Sequence, residues 1–227
     1  MYRLLKLLII LTGTVQVYGQ DSTFVQETCN LIAKEANQDS NSQLKIIQNQ
    51  AIKYVTSSSI INSANKNETQ DTYRLFYKLS RELVRNCPNY TLGVFPIRAN
   101  RVVDLEDKFT KLETDSLKNF SLHLWKKNKV YLFIVTIDDY YPDKTIEEFA
   151  KKKRDYWGMG HNAEKGGVLV ALSFSNREVM ISTSEVAMKY LTDQECGDVI
   201  QLMTPEFKKD NYFKGVIAGL NGIIERL

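Results

Sequence analysis

The chain has 227 residues, of which 43% are hydrophobic and 25% charged, with a formal net charge of +3. That length supports one large domain or two small ones with a real apolar core, and the composition excludes disordered and fibrous classes. So small a charge gives no electrostatic case for nucleic acid as a partner.

Arg3 and Lys6 precede a short apolar run, Leu7 to Leu11, and no acidic residue occurs before Asp21. Val17 and Gly19 sit where a cleavage site before Gln20 needs them. This layout predicts a secretory signal peptide over 1–19 and an exported protein, periplasmic or extracellular. The run is far shorter than the ~20 apolar residues that span a bilayer, so no transmembrane helix is expected after cleavage; an uncleaved N-terminal anchor is the alternative. Cleavage would leave 28 basic residues against 27 acidic ones, a net charge of +1.

Residues 20–88 read as a small all-α region. Leu44, Ile47, Ala51 and Val55 recur at helical spacing, as do Tyr73, Phe76, Leu79, Leu83 and Val84, and no Gly or Pro occurs from Asp21 to Cys87. A short first helix is expected around Thr28 to Ala36, followed by two longer ones. Ser57 to Ser59 and Asn62 to Asn67 read as loop, and Cys87-Pro88 as the end of the last helix. Cys29 and Cys87 are candidates for a disulfide in an exported chain. Bridged Cα atoms must come within roughly 7 Å, so the bond requires the first helix to be short or to cross the others. The third cysteine, Cys196, reads as a small core residue in a helix.

Residues 89–100, with Gly93 and Pro96, carry no helical period and read as a linker. Beyond it, Leu117, Phe120 and Leu124 mark an amphipathic helix, and Val130 to Ile137 is a continuous apolar run, the pattern of a strand buried on both faces. Thr145-Ile146-Glu147-Glu148 predicts a capped helix with Ile146, Phe149, Ala150 and Trp157 inward and Gly158 at its end. The basic run Lys151 to Arg154 reads as that helix's solvated last turns. Gly167 to Ser173 is a second apolar strand, and Glu178 to Ser182 alternates like a strand paired to it. A second capping box, Thr192 to Glu195, opens a further helix, and a last helix starts near Tyr212. Alternating helices and buried strands imply a layered α/β sandwich, in which ligands usually sit beyond strand C-termini. Asp138, Asp139 and Asp143, after the first apolar strand, occupy such a place. His123 and His161 are far apart and read as surface or packing residues. Ser173, Ser175, Ser182 and Ser184 read as strand and turn residues, since no motif sets a His beside them.

From about Arg101 onward, seven short stretches in order carry a resemblance. They are Val103-Asp104, IVTI at Ile134 to Ile137, TIEEFA from Thr145, WGMG from Trp157 to Gly160, GVLVAL from Gly167, LTD from Leu191 to Asp193, and PEFKKDNYFKG from Pro205 to Gly215. In these the chain resembles the TPM domain family over residues 101–227. The resemblance implies a three-layer α/β/α sandwich outside the cytoplasm. Some members of the family are metal-dependent acid phosphatases; others are accessory or assembly factors of membrane complexes. The chain departs from the family where chemistry is concerned. An Asp-Asn-Gly run entering the second strand is here Lys165-Gly166-Gly167. A Gly-Tyr-Gly turn followed by Glu is here Ser184-Glu185-Val186, with Met188 in the place of the Glu.

Ca²⁺ or Mg²⁺ needs several oxygen ligands, mostly carboxylates and carbonyls, and a nearby ammonium repels the cation. The resemblance leaves Asp104 and Asp193, with Asp139 or Glu185 in addition, as metal ligands, and Lys165 as a possible phosphate contact. Each has a structural reading beside it, Asp193 as the first residue of a capped helix and Asp104 as a turn residue. Two functions stay open. One is a non-catalytic envelope binding or assembly module with a degenerate metal site and another envelope protein as partner. The other is a weak metal-dependent acid phosphatase.

Overall fold

The computed structural model of the chain describes residues 23–34, 40–57, 68–95, 101–159 and 163–227. The expected signal peptide, the Asn62 to Asn67 loop and His161 lie outside the described residues. The chain divides into two compact units, Met1–Ile97 and Arg98–Leu227.

In the first unit α1 covers residues 23–34, α2 Ser40–Ser57 and α3 Glu68–Asn86. The first helix begins earlier than its expected start at Thr28. That residue is interior, its hydroxyl donating to the Phe24 carbonyl at 2.8 Å, a bond a Thr makes within a helix. The apolar stripes meet as their spacing requires: Ile47 and Ala51 of α2 and Phe76, Leu79 and Leu83 of α3 are buried. Cys29, in the interior of α1, is disulfide-bonded to Cys87, the residue after α3, with Cα atoms 5.5 Å apart. That distance meets the geometric condition for a bridge.

Residues 89–95, read from the sequence as linker, fold onto the helices. The buried Gln43 of α2 donates to the Asn89 carbonyl at 3.0 Å and accepts from the Thr91 N–H at 3.1 Å. The Phe95 N–H donates to Ser80 Oγ at 2.8 Å, and the Phe95 ring is fully buried, edge-on to Tyr73. Turn composition marked this stretch as loop correctly, but a loop whose backbone groups find side-chain partners can pack.

The second unit runs β1 (Val102–Asp104), α4 (Lys111–Asn128), β2 (Tyr131–Thr136), α5 (Ile146–Tyr156), β3 (Gly167–Ser173), β4 (Glu178–Thr183), a 3₁₀ turn (Ala187–Lys189), α6 (Asp193–Phe207) and α7 (Tyr212–Arg226). The strands form one sheet in the order β1-β2-β3-β4. β1, β2 and β3 are parallel, with Asp104 opposite Thr136 and Tyr131 opposite Gly167; β4 pairs antiparallel with β3. β1 has three residues, too few to show a period, and the sequence does not announce it as a strand.

Every residue of β3 and all but Tyr131 of β2 are buried, which explains their unbroken apolar runs. One face carries α4, α6 and α7, whose Leu117, Leu124, Val199, Met203, Val216 and Leu220 join Leu132, Ile134, Val168 and Val170 in the main core. The other face carries α5, against β3 and β4, with Phe149 and Ala150 fully buried. This is the expected three-layer α/β/α sandwich, preceded by a small all-α region. Gly215 and Gly219 let α7 approach Phe207 and Met203 of α6 where a β-carbon has no room.

Helix starts follow the sequence. Thr192 caps α6 in a reciprocal box with Glu195, and Thr110 caps α4 in the same way with Glu113. Thr145 caps α5 by accepting from the Glu148 N–H, while the Glu148 carboxylate turns to the Lys144 N–H. Cys196 is buried beside Leu191, and burial pushes its thiol up to about 11, the value of an inert core residue.

The basic run of α5 does not behave as one solvated face. Lys151 pairs with Glu147 and Lys152 with Asp143 at the surface. Lys153, one turn beyond Phe149, falls on the inward face and is 6% exposed. Its ammonium lies 5.8 Å and 5.7 Å from the ring centres of Phe149 and Tyr156. Arg154 reaches across to β4, donating to the Thr183 carbonyl at 2.7 Å and to Ser182 Oγ at 3.2 Å.

Two outcomes follow. Replacing Cys29 and Cys87 by Ser is expected to destabilise the helical unit by about 4 kcal/mol, the chain entropy released from a loop of that length; denaturant unfolding of oxidised wild type and double variant measures it. Burial depresses the Lys153 ammonium from 10.5 to about 8. The folded state therefore binds fewer protons than the unfolded state between those values, and stability from this group rises with pH across that window. Below pH 8 the buried charge costs on the order of 3 kcal/mol. Lys153→Met is expected to raise the melting temperature at pH 7 and to lose that advantage towards pH 10.5; an unchanged or lower melting temperature at pH 7 refutes the assignment.

Candidate functional site

Strands buried on both faces leave polar chemistry to their two ends. At the C-terminal ends of β1 to β3 the centre is Asp104, fully buried. One carboxylate oxygen accepts from Thr136 Oγ1 at 2.6 Å and the other from the Phe109 N–H at 2.8 Å. The Thr136 hydroxyl in turn accepts from the Glu106 N–H at 3.0 Å. The Glu106 carboxylate then clamps the β3–β4 turn, accepting from the N–H groups of Phe174 and Ser175, each at 2.9 Å, and from Ser175 Oγ at 2.6 Å. Asp104 is thus the anchor of a network that closes this end, and it stands at the last position of β1 rather than in a turn. Glu106 lies 69 positions from Ser175, and no local pattern in the sequence points to the pair.

Asp138 and Asp139 follow β2 at the same end. Asp139 accepts from the Tyr141 N–H at 3.0 Å, and the Asp138 carbonyl accepts from Asn176 Nδ2 at 3.0 Å. Tyr140 donates to Glu178 at 2.5 Å, and that carboxylate pushes the phenol up to about 12. Asp143 holds Lys152.

Lys165, Glu185 and Asp193 lie at the opposite end, with the N-termini of β2 and β3 and the C-terminus of β4. Lys165 Nζ donates to the Leu227 carbonyl at 2.6 Å and lies 4.9 Å from the centre of the Tyr190 ring. Beside it Gly166 has φ +77°, and Ser184 Oγ and the Ala187 N–H stand where a β-carbon would project. The Ser184 hydroxyl accepts from the Gly167 N–H at 3.0 Å and from the Ala187 N–H at 3.3 Å. A side chain of the protein's own thus fills a space where two backbone donors converge. The sequence marks Ser184 as a turn residue but gives no sign of this bridging role. Asp193 is the first residue of α6, exposed, after the cap Thr192. Glu185 is exposed.

The proposed metal ligands are therefore not brought together. Asp104 and Asp139 lie at one end of the sheet, Glu185 and Asp193 at the other. The six residues of β2 separate them by about 16 Å at 3.3 Å per residue, against metal–oxygen distances of roughly 2.0–2.6 Å. Among the described residues, no three His, Cys, Asp or Glu side chains are grouped so as to hold a metal ion. The side chains present do not fit a Ca²⁺ or Mg²⁺ centre built from these four.

Known proteins give the fold a context. A solution NMR structure of the N-terminal domain of a protein from P. gingivalis matches with a TM-score of 0.52 and 23% identity, over 57% of this chain and 83% of that one. The N-terminal domain of a protein from Corynebacterium glutamicum matches with a TM-score of 0.46 and 12% identity, over 56% of this chain and 79% of that one. Comparison with curated proteins finds no match. The TPM domain matches residues 102–226, from the first residue of β1 to the last of α7 and more than half of the sequence. On that match the chain belongs to the TPM domain family.

Proposed function

We propose that this protein is an exported TPM-domain binding module of the cell envelope that does not hydrolyse phosphate esters. One observation carries the reading. At the end of the sheet where the family's Asp-Asn-Gly and Gly-Tyr-Gly runs align, the chain's own groups take up its polar sites. Lys165 is held by the Leu227 carbonyl, and Ser184 Oγ occupies the N–H groups of Gly167 and Ala187. A hydrolase of this kind needs a cation held by several oxygens and open donors for the phosphoryl group. A binding module needs only a stable scaffold and a surface.

Export is part of the proposal. The charged and apolar N-terminus motivates it, and a disulfide fits an oxidising compartment. We assign residues 1–19 to the signal peptide, 20–88 to the helical region and 101–227 to the TPM domain. N-terminal sequencing of the mature protein is expected to begin at Gln20; an intact Met1 on protein extracted from membranes refutes cleavage.

For the catalytic half of the proposal, purified mature protein is expected to release no phosphate from p-nitrophenyl phosphate across acid to neutral pH, with or without Ca²⁺ or Mg²⁺. Titration calorimetry is expected to detect no specific site for either ion. Turnover that requires one of these ions and is lost on chelation would establish the phosphatase reading instead. Lys165→Asp restores a carboxylate at the family's position, and a gain of metal binding in that variant alone would identify Lys165 as the residue that degrades the site.

A further inference from the structure

The N-terminal ends of β1, β2 and β3 carry a row of cations seated on aromatic rings. Arg101, just before β1, lies 5.6 Å from the centre of the Tyr131 ring, and Tyr131 opens β2. Tyr131 stacks on Trp125 of α4 with centres 4.1 Å apart and planes 18° from parallel. Lys129, which caps α4 in the left-handed conformation, lies 5.9 Å from the Trp125 ring. Lys165, before β3, lies over Tyr190.

The row is contiguous through the backbone. The Lys165 N–H donates to the Lys129 carbonyl at 3.2 Å, the Tyr131 N–H to the Gly166 carbonyl at 2.9 Å, and the Ile134 N–H to the Arg101 carbonyl at 2.8 Å. Lys126 and Lys127, exposed in the last turn of α4, extend it. None of Arg101, Lys126, Lys127 and Lys129 forms an ion pair with a carboxylate among the described residues; Arg101 donates to Ser121 Oγ at 3.2 Å, and Lys165 is engaged by the backbone oxygen of Leu227. The contrast with α5 is direct, since there Lys151, Lys152 and Arg154 each meet an acid.

We infer that this row is a docking surface for an acidic, extended peptide segment of a partner protein. The inference rests on the binding-module reading and names the chemistry of the partner. Adjacent strands place their ends about 4.8 Å apart, so the cations form a line that can run beside carboxylates spaced along an extended chain. Rings beneath Arg101 and Lys129 hold them without neutralising them, and Lys126 and Lys127 are exposed, so these charges stay available for a carboxylate. Met188 and Tyr190, 43% and 38% exposed on the turn after β4, give such a segment an apolar contact beside the charges. An anionic bilayer is the poorer fit. It rewards aromatic side chains that project into the interface, whereas Trp125 and Tyr131 are half-buried against each other.

The test uses the full mature chain and a fluorescein-labelled peptide of alternating glutamate and tyrosine. Fluorescence anisotropy is expected to show saturable binding at low salt that weakens several-fold by about 0.15 M salt. Lys126→Glu combined with Lys129→Gly, which keeps the left-handed cap while removing its charge, is expected to weaken binding about tenfold or more, as is Arg101→Gln. Lys208→Glu with Lys209→Glu on α6 changes net charge without touching the row and is expected to shift affinity less than about twofold. Circular dichroism and melting temperature confirm folding of each variant. The inference is overturned if the wild type does not bind, if the α6 variant loses as much as the row variants, or if phosphatidylserine vesicles bind the wild type without competition from the peptide. Failure of peptide binding leaves the absence of phosphatase activity intact, so the two readings fall separately.

Discussion

Because β2 and β3 are buried on both faces, the sheet has nowhere to put ionisable groups except beyond the ends of its strands. Leu132 to Thr136 and Gly167 to Ser173 are enclosed by α5 on one side and by α4, α6 and α7 on the other. A charge placed within those runs would need a partner and a full set of hydrogen bonds to offset its desolvation. Asp104 shows the condition under which one is admitted. It sits at the last position of β1 and accepts from a hydroxyl and a backbone N–H. Lys153 shows what happens when the condition is met poorly: burial outweighs the aromatic rings and the attraction of Asp143, and its affinity for a proton falls.

The two ends made by this constraint have been put to different uses. At the C-terminal ends of the parallel strands, the usual location of ligands in open α/β sheets, the Asp104–Thr136–Glu106–Ser175 chain of hydrogen bonds ties three loops together. The groups that could meet a ligand there are largely engaged in holding the fold. At the other end the resemblance sets Lys165 in the place of the family's carboxylate, and Ser184 and Val186 in the places of two glycines. Loss of glycine matters as much as loss of charge. A serine at position 184 supplies a hydroxyl that sits between the Gly167 and Ala187 donors, where a glycine would leave them open.

This replacement changes the sign of the site. A carboxylate cluster attracts a cation and, through it, a phosphate. An ammonium beside Lys129 and Arg101 attracts an anion directly, without a metal. The packing of the core is untouched by these differences, since they lie in turns at strand ends.

The sequence by itself determined the layers and their order. Unbroken apolar runs at Val130 to Ile137 and Gly167 to Ser173 have the pattern of strands covered on both faces, and helix starts at Thr145 and Thr192 are written in local capping chemistry. Motif order was enough to reach the family, and compartment chemistry enough to suggest the Cys29–Cys87 bridge. What it left open was decided by contacts between residues far apart. The three-residue β1 exists because β2 offers it a parallel edge, not because of any period of its own. Lys153 belongs to a basic run, but helix rotation puts it on the inward face with Phe149. The acids proposed as one metal site divide between opposite ends of the sheet, because a strand's length separates residues that motif order lists side by side. Local sequence encodes which backbone hydrogen bonds and apolar faces form; which charged side chains then meet depends on where the packed layers carry their ends, and only the tertiary structure holds that information.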